Sequence, residues 1–143
     1  MSFRDTILEN IAKHGVQLIG VTDTQPSFTY TIGLHAKFGF ELIVVGLPYQ
    51  YAGHILNEIA AKDMPPELGM PNTEYTNLPV MFMECTVSLG PLHDDFVCQA
   101  DRFYGKEVKV VQMVMCDRQC RFPGHSEYDH EYMDPRQRLF CDF

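Results

Sequence analysis

Hydrophobic and polar positions divide the chain into stretches of period two and stretches of helical period. Phe28, Tyr30, Ile32 and Leu34 alternate with Thr29, Thr31 and Gly33, the repeat of a strand with one apolar face. Its other face, two hydroxyls and a glycine, leaves room for a backbone, a helix or a ligand. After a loop over residues 35–40, residues 41–47 are apolar on both faces. Ahead of these strands, Phe3, Ile7, Leu8 and Ile11 share a helical face. Ser2 is placed to cap that helix, Asp5 gives a weak capping box, and Gly15 stops it. Residues 16–22 read as a strand despite Gly20, and the turn at 23–27 brings the Phe28 strand back antiparallel to it.

Pro48 opens a helix reaching about Asp63, with Ala52, Ile55, Leu56, Ile59 and Ala60 inward. Residues 67–78 have no period, which at that length means a lid or a long connection. Pro79 opens a strand over 80–87, and Gly90-Pro91 breaks it. Leu92, Phe96, Ala100 and Phe103 then recur at helical spacing before Gly105, and 107–117 is a strong strand. Beyond Asp117 the pattern fades into a polar and aromatic stretch, read as an extended tail anchored by Leu139 and Phe140. These elements predict one α+β domain over 1–124, with a tail over 125–143 packed on it. The domain has a mixed, mostly antiparallel sheet of about five strands, and three helices mainly on one face.

Composition narrows the function classes. The chain has 143 residues, 45% hydrophobic and 21% charged, ordinary for a globular domain. With 11 basic and 19 acidic residues its net charge is −8, which repels nucleic-acid phosphates and suits a basic protein partner or plain solubility. No apolar run is long enough for a bilayer and no leader pattern opens the chain, so the expected location is cytoplasmic. Five scattered cysteines fit reduced thiols, with Cys85 and Cys98 set in apolar segments.

Candidate chemistry is sparse. Neither a phosphate-binding glycine loop nor a Gly-x-Ser-x-Gly elbow occurs, and the sequence discloses no reaction. Cys116, Cys120, His125 and His130 offer two thiolates and two imidazoles, a donor set for tetrahedral zinc at unusual spacing; no other cofactor is implied. His93-Asp94-Asp95 reads as acidic capping of a helix, and His54 as a surface histidine. Gln112 shares a strand face with Val108, Val110 and Val114, and Glu84 with Val80 and Phe82. Each must hydrogen-bond inside the core or line a pocket, because an unpaired buried polar group costs about 1–3 kcal/mol. Tyr30, Thr31, Glu84, Arg102 and Gln112, if convergent, make an anion- or amide-reading pocket.

The segment Tyr30-Thr31-Ile32-Gly33-Leu34, then Phe38-Gly39-x-Glu41-Leu42, Gly46-Leu47 and a helix bearing Asn57, resembles the bacterial family catalogued as "domain of unknown function 4262". Arg102-Phe103-Tyr104, Val111-Gln112-Met113-Val114, Asp117-Arg118 and Arg121-Phe122-Pro123 continue the resemblance over about residues 5–124. The pattern usually has Trp-Pro-Asp where Met115-Cys116-Asp117 stands, Gly at Cys120 and Trp at Gly124. The resemblance implies a small stand-alone bacterial or phage-encoded protein without an established activity, and a site drawn from Tyr30, Thr31, Gly33, Asn57, Arg102, Tyr104, Gln112 and Asp117. The acidic surface and the tail aromatics Phe122, Tyr128, Tyr132, Phe140 and Phe143 lead to a first expectation: binding of another protein, as inhibitor or accessory factor. The alternative is a small-molecule or enzymatic pocket built from Tyr30, Arg102 and Gln112.

Overall fold

The computed structural model describes residues 2–86 and 92–143. A six-stranded mixed sheet runs in the order β1-β2-β3-β6-β5-β4. Its strands are β1 (Gln17–Val21), β2 (Phe28–Ile32), β3 (Glu41–Val45), β4 (Pro71–Asn72), β5 (Val80–Glu84) and β6 (Val110–Met115). β3 and β6 are parallel, with Leu42 beside Val111 and Ile43 beside Gln112; all other neighbours are antiparallel. The helices are α1 (Phe3–His14), α2 (His35–Phe38), α3 (Tyr49–Ala60), α4 (Cys98–Tyr104) and α5 (His130–Met133), with a π-helical turn at Leu92–Phe96. The α+β class therefore stands as read, close to the expected five strands and three helices.

The helices cover both faces of the sheet, not mainly one. Leu42, Val44, Val111 and Met113 pack with Ala52, Leu56 and Ile59 of α3 on one side. Ile43, Val45 and Val110 pack with Ile7 of α1, Ala100 and Phe103 of α4, and Phe140 on the other. Central strands apolar on both faces need cover on both. The bare face of β2 is filled rather than open: Thr29 and Thr31 are both buried, and β2 packs against α3.

Local chemistry explains most boundaries. The capping box forms at α1, where Asp5 N donates to Ser2 Oγ (3.1 Å) and Ser2 N donates to Asp5 Oδ2 (3.4 Å). Leu8 lies outside the buried stripe and is 45% exposed. The loop at 35–40 holds the short α2, the connection at 67–78 holds β4, and the tail holds α5. Gly20 has a reason: the Tyr49 ring rests where a Cβ would stand. The expected end of the fifth strand at Val87 and the break at Gly90-Pro91 lie outside the described residues. Among the described residues, no helix is long and apolar enough to cross a membrane.

Candidate functional site

The residues singled out from sequence separate into three places. At the first, Thr31, Gly33 and Tyr104 meet around Glu41, a fully buried carboxylate at the start of β3. Thr31 Oγ1 donates to Glu41 Oε1 (2.8 Å), and His35 N (2.9 Å) and Gly33 N (3.2 Å) donate to Oε2. Leu34 N is shared between the two oxygens, and the Tyr104 hydroxyl donates a short hydrogen bond to Oε2. Burial pushes the Glu41 carboxyl above its ordinary value, and bonds from Tyr104, Leu34, Thr31 and His35 pull it part of the way back. Burial, together with the bond to Glu41, raises Tyr104. The network ties the β2–α2 corner to β3 and α4. Glu41 was not among the residues singled out, although a carboxylate opening an otherwise apolar strand was a readable signal.

At the second, Gln112 hydrogen-bonds inside the core: Nε2 donates to Arg138 O (2.7 Å), and Oε1 accepts from Phe140 N (2.8 Å). Gln137 repeats the device on β6, accepting from Met115 N (2.7 Å) and donating to Met115 O (3.1 Å). These amides hold the tail against the sheet where backbone pairing stops. Tyr128 and Phe140 are accordingly buried, while Phe143 stays exposed.

At the third, Asp117 follows β6. Its Oδ1 accepts from Gln119 N and Arg121 N (both 2.9 Å), and its Oδ2 from Arg121 Nε and Asp129 N (both 3.0 Å). Burial pushes this carboxyl up, but the hydrogen bonds from Arg121, Asp129 and Gln119 outweigh it and hold the pKa at about 2. A depressed folded value stabilises above the unfolded value of 3.8 and is lost as pH falls toward 2. Asp117→Asn is therefore expected to be less stable than wild type at neutral pH. The gap should narrow between pH about 4 and about 2, and urea unfolding across that range checks it. The turn also puts Cys120 at φ 62°, a left-handed backbone that explains the glycine usual there in the resembling pattern.

The remaining residues do not join these places. Tyr30 is buried in the core on the α1 and α4 side, its hydroxyl pushed up by burial. Arg102 lies over the Phe3 ring at 4.3 Å, and Asn57 is exposed on α3. Glu84 is not core but sits at an exposed strand end, 3.5 Å from Lys109, where it lines a separate crevice with Cys85, His93 and Val108. The pocket expected from Tyr30, Arg102 and Gln112 therefore does not assemble: the Gln112 amide is taken by the tail, and Arg102 is on the surface. Cys98 is exposed, not core. His54 is exposed as read. His93 lies 2.6 Å from Asp101; the acidic-capping reading concerns Asp94 and Asp95, and the Asp94 side chain lies outside the described residues.

Of Cys116, Cys120, His125 and His130, the two thiols are neighbours while each histidine has a partner elsewhere. Burial, and then its neighbour Cys120, pushes the Cys116 thiol to about 11. His125 Nδ1 accepts from Glu127 N (3.0 Å), and His130 pairs with Asp134 (3.3 Å). Among the described residues, no three His, Cys, Asp or Glu side chains are grouped to hold a metal ion.

Beside Asp117 opens a crevice of about 450 Å3. Gly46 and Leu47 line it at the exit of β3, and Met115 and Cys116 at the exit of β6. Thr76 and Leu78 to Val80 form the approach to β5, and Tyr132, Met133 and Arg136 close the far wall. It thus lies outside the carboxyl ends of the two parallel strands, the position that ligands take in open parallel α/β sheets. The Tyr132 ring is held between two guanidinium groups, Arg118 at 3.7 Å and Arg136 at 3.8 Å. No spacing rule connects residues 46, 78, 118 and 136, so sequence reading had no means to assemble this wall.

Fold and crevice together define an α+β domain with a mixed sheet and a concave site at its parallel pair. The chain belongs to the family described as Domain of unknown function (DUF4262), whose family model matches residues 10–129. No curated protein and no solved structure matches the chain. The family match ends before α5, so the Tyr132, Met133 and Arg136 wall lies beyond it.

Proposed function

We propose that this chain is a small-molecule-binding domain whose ligand occupies the crevice at the ends of β3 and β6. The observation that carries this reading is the crevice itself, in the ~300–1,000 Å3 range of small-molecule sites and lined mainly by aliphatic and methionine side chains beneath two arginines. Binding is favoured over catalysis by the lining. It contains no histidine, and its one thiol, Cys116, is held neutral by burial and is a poor nucleophile. The protein-binding reading leaned on the tail aromatics. Tyr128 and Phe140 are turned into the core and Tyr132 is covered on both faces, which leaves less aromatic surface for a partner.

The test is a ligand-observed NMR fragment screen on wild type and Leu78→Trp. Leu78 is 48% exposed at the mouth, so an indole there fills the entrance without disturbing the core. Hits on wild type that are lost in the variant are expected. Hits retained unchanged, or none at all, would sink the reading.

A further inference from the structure

We infer that the crevice takes a carboxylate joined to an aliphatic body, the carboxylate held at the mouth by Arg118 and Arg136. The inference rests on the small-molecule reading of the crevice and goes on to name the class of ligand.

The polar inventory of the wall points to an anion. Thr76 Oγ1 already donates to Leu78 O (2.6 Å). Asp117 already accepts four hydrogen bonds. What remains are the Tyr132 hydroxyl and the Cys116 thiol, which both donate and accept, and the guanidinium N–H groups, which can only donate and alone carry charge. Arg136 Nη1 donates to Tyr132 O (2.7 Å), and Arg118 Nη2 to Asp129 Oδ2 (3.3 Å). Each guanidinium has five N–H donors, so a fork remains on each for an incoming acceptor. Tyr132 holds the two groups on opposite sides of one ring, which fixes their positions at little entropic cost.

Charge selects a monoanion. Arg118 and Arg136 bring two positive charges to the rim, and Asp129 offsets one of them beside Arg118. Asp117 is matched by Arg121, which also meets Glu127 at 3.4 Å. Arg118, Arg121 and Arg136 thus face Asp117, Asp129 and Glu127 with no excess of positive charge, on a chain whose formal charge is −8, so a dianionic phosphate ester would be overcharged for the rim.

The apolar lining selects the body. Leu47 and Val80 are aliphatic, Leu78 adds an aliphatic chain at the mouth, and Met115 and Met133 are unbranched and adaptable. The one aromatic in the wall has both faces taken by guanidinium groups, so it offers no stacking platform for a flat ring. A flexible alkyl chain meets this lining better than a planar one.

The experiment titrates octanoate, 1-octanol and octyl phosphate into the full chain and follows backbone amide shifts at Gly46, Met115 and Arg136. Octanoate is expected to move these amides. Arg118→Ala/Arg136→Ala should weaken it by about tenfold or more, leave octanol unchanged, and remove its salt dependence. Arg118→Gln/Arg136→Gln, which keeps much of the stems, should behave alike and guards against loss of fold in the alanine pair. Octanol binding as tightly as octanoate, or indifference of octanoate to both double variants, overturns the carboxylate class while leaving the crevice reading intact. Tighter binding of octyl phosphate overturns the monoanion. No shift with octanoate overturns this inference. If the fragment screen is also blind to Leu78→Trp, the small-molecule reading fails with it.

Discussion

Glu41→Gln is expected to lower stability by about 3 kcal/mol, a large effect for a change of one atom. Five donors converge on this carboxylate: Thr31 Oγ1, the amides of Gly33, Leu34 and His35, and the Tyr104 hydroxyl. A carboxylate can accept from all of them because both oxygens are acceptors. A glutamine has one oxygen, and either orientation turns an NH2 group on donors that cannot move. If the NH2 replaces Oε2 it faces His35 N, Gly33 N and the tyrosine; if it replaces Oε1 it faces Thr31. Thr31 can compensate only at a cost: its Oγ1 already accepts from Leu42 N at 2.9 Å, and turning its proton away from residue 41 to accept a second bond would leave that proton unpaired in the core.

The pH dependence adds a second readout. Because burial raises Glu41 above 4.5, the folded chain binds its proton more tightly than the unfolded chain does. Stability from this group is fully present below the unfolded value and declines as pH rises through the folded one. The gap between wild type and Glu41→Gln should therefore narrow upward through that window without closing, because the misdirected NH2 group of the variant faces the same donors at every pH. Urea unfolding at a series of pH values measures it. Equal stability of the two proteins, or a gap that widens with pH, would remove Glu41 from this role.

Gly46→Ala should cost about 4 kcal/mol, the sum of backbone strain and a steric collision. Gly46 sits at φ +95°, which disfavours any side chain, and its added Cβ would collide with the Arg136 carbonyl oxygen. Neither partner can withdraw cheaply. Gly46 N is bonded to Ser27 O (2.8 Å), and the Arg136 backbone leads directly into Gln137, whose amide is clamped to Met115. The methyl group must therefore push the tail from the ends of β3 and β6, opening the crevice wall that Arg136 completes. Gly39→Ala is the control: φ is +85° but nothing lies within 4 Å of the new Cβ, so only strain of about 1–2 kcal/mol is expected. Denaturation compares the two variants, and hydrogen exchange should show residues 133–141 losing protection in Gly46→Ala alone. Similar costs in both would mean that the close approach of the tail does not govern this corner.

Much of the framework was legible because it is local. Period-two alternation located β2, and runs of apolar residues located β3 and β6. The Ser2–Asp5 box and Gly15 bounded α1, and the inward stripe from Ala52 to Ala60 placed α3; all of these depend on residues within one or two turns of each other. Gln112 was readable for a related reason, since a lone amide among valines has few affordable fates. Glu84 met the rule by its other branch because strand position decides burial: at the end of β5 its side chain leaves the core for Lys109 and the lining of a separate crevice.

By itself, then, the sequence determined the α+β class, the main strands and helices, the acidic balance and the family pattern. Only the tertiary structure decided which of these residues meet. It brought Glu41 under the β2–α2 corner, and it spent Gln112 and Phe140 on the tail. It also set Gly46, Leu78, Arg118 and Arg136 around one crevice. The physical reason is that secondary structure follows from neighbours in the chain, whereas a site is made where distant segments cross. Here the parallel pairing of β3 with β6 and the return of the tail across their ends set that crossing, and neither leaves a periodic trace in the sequence.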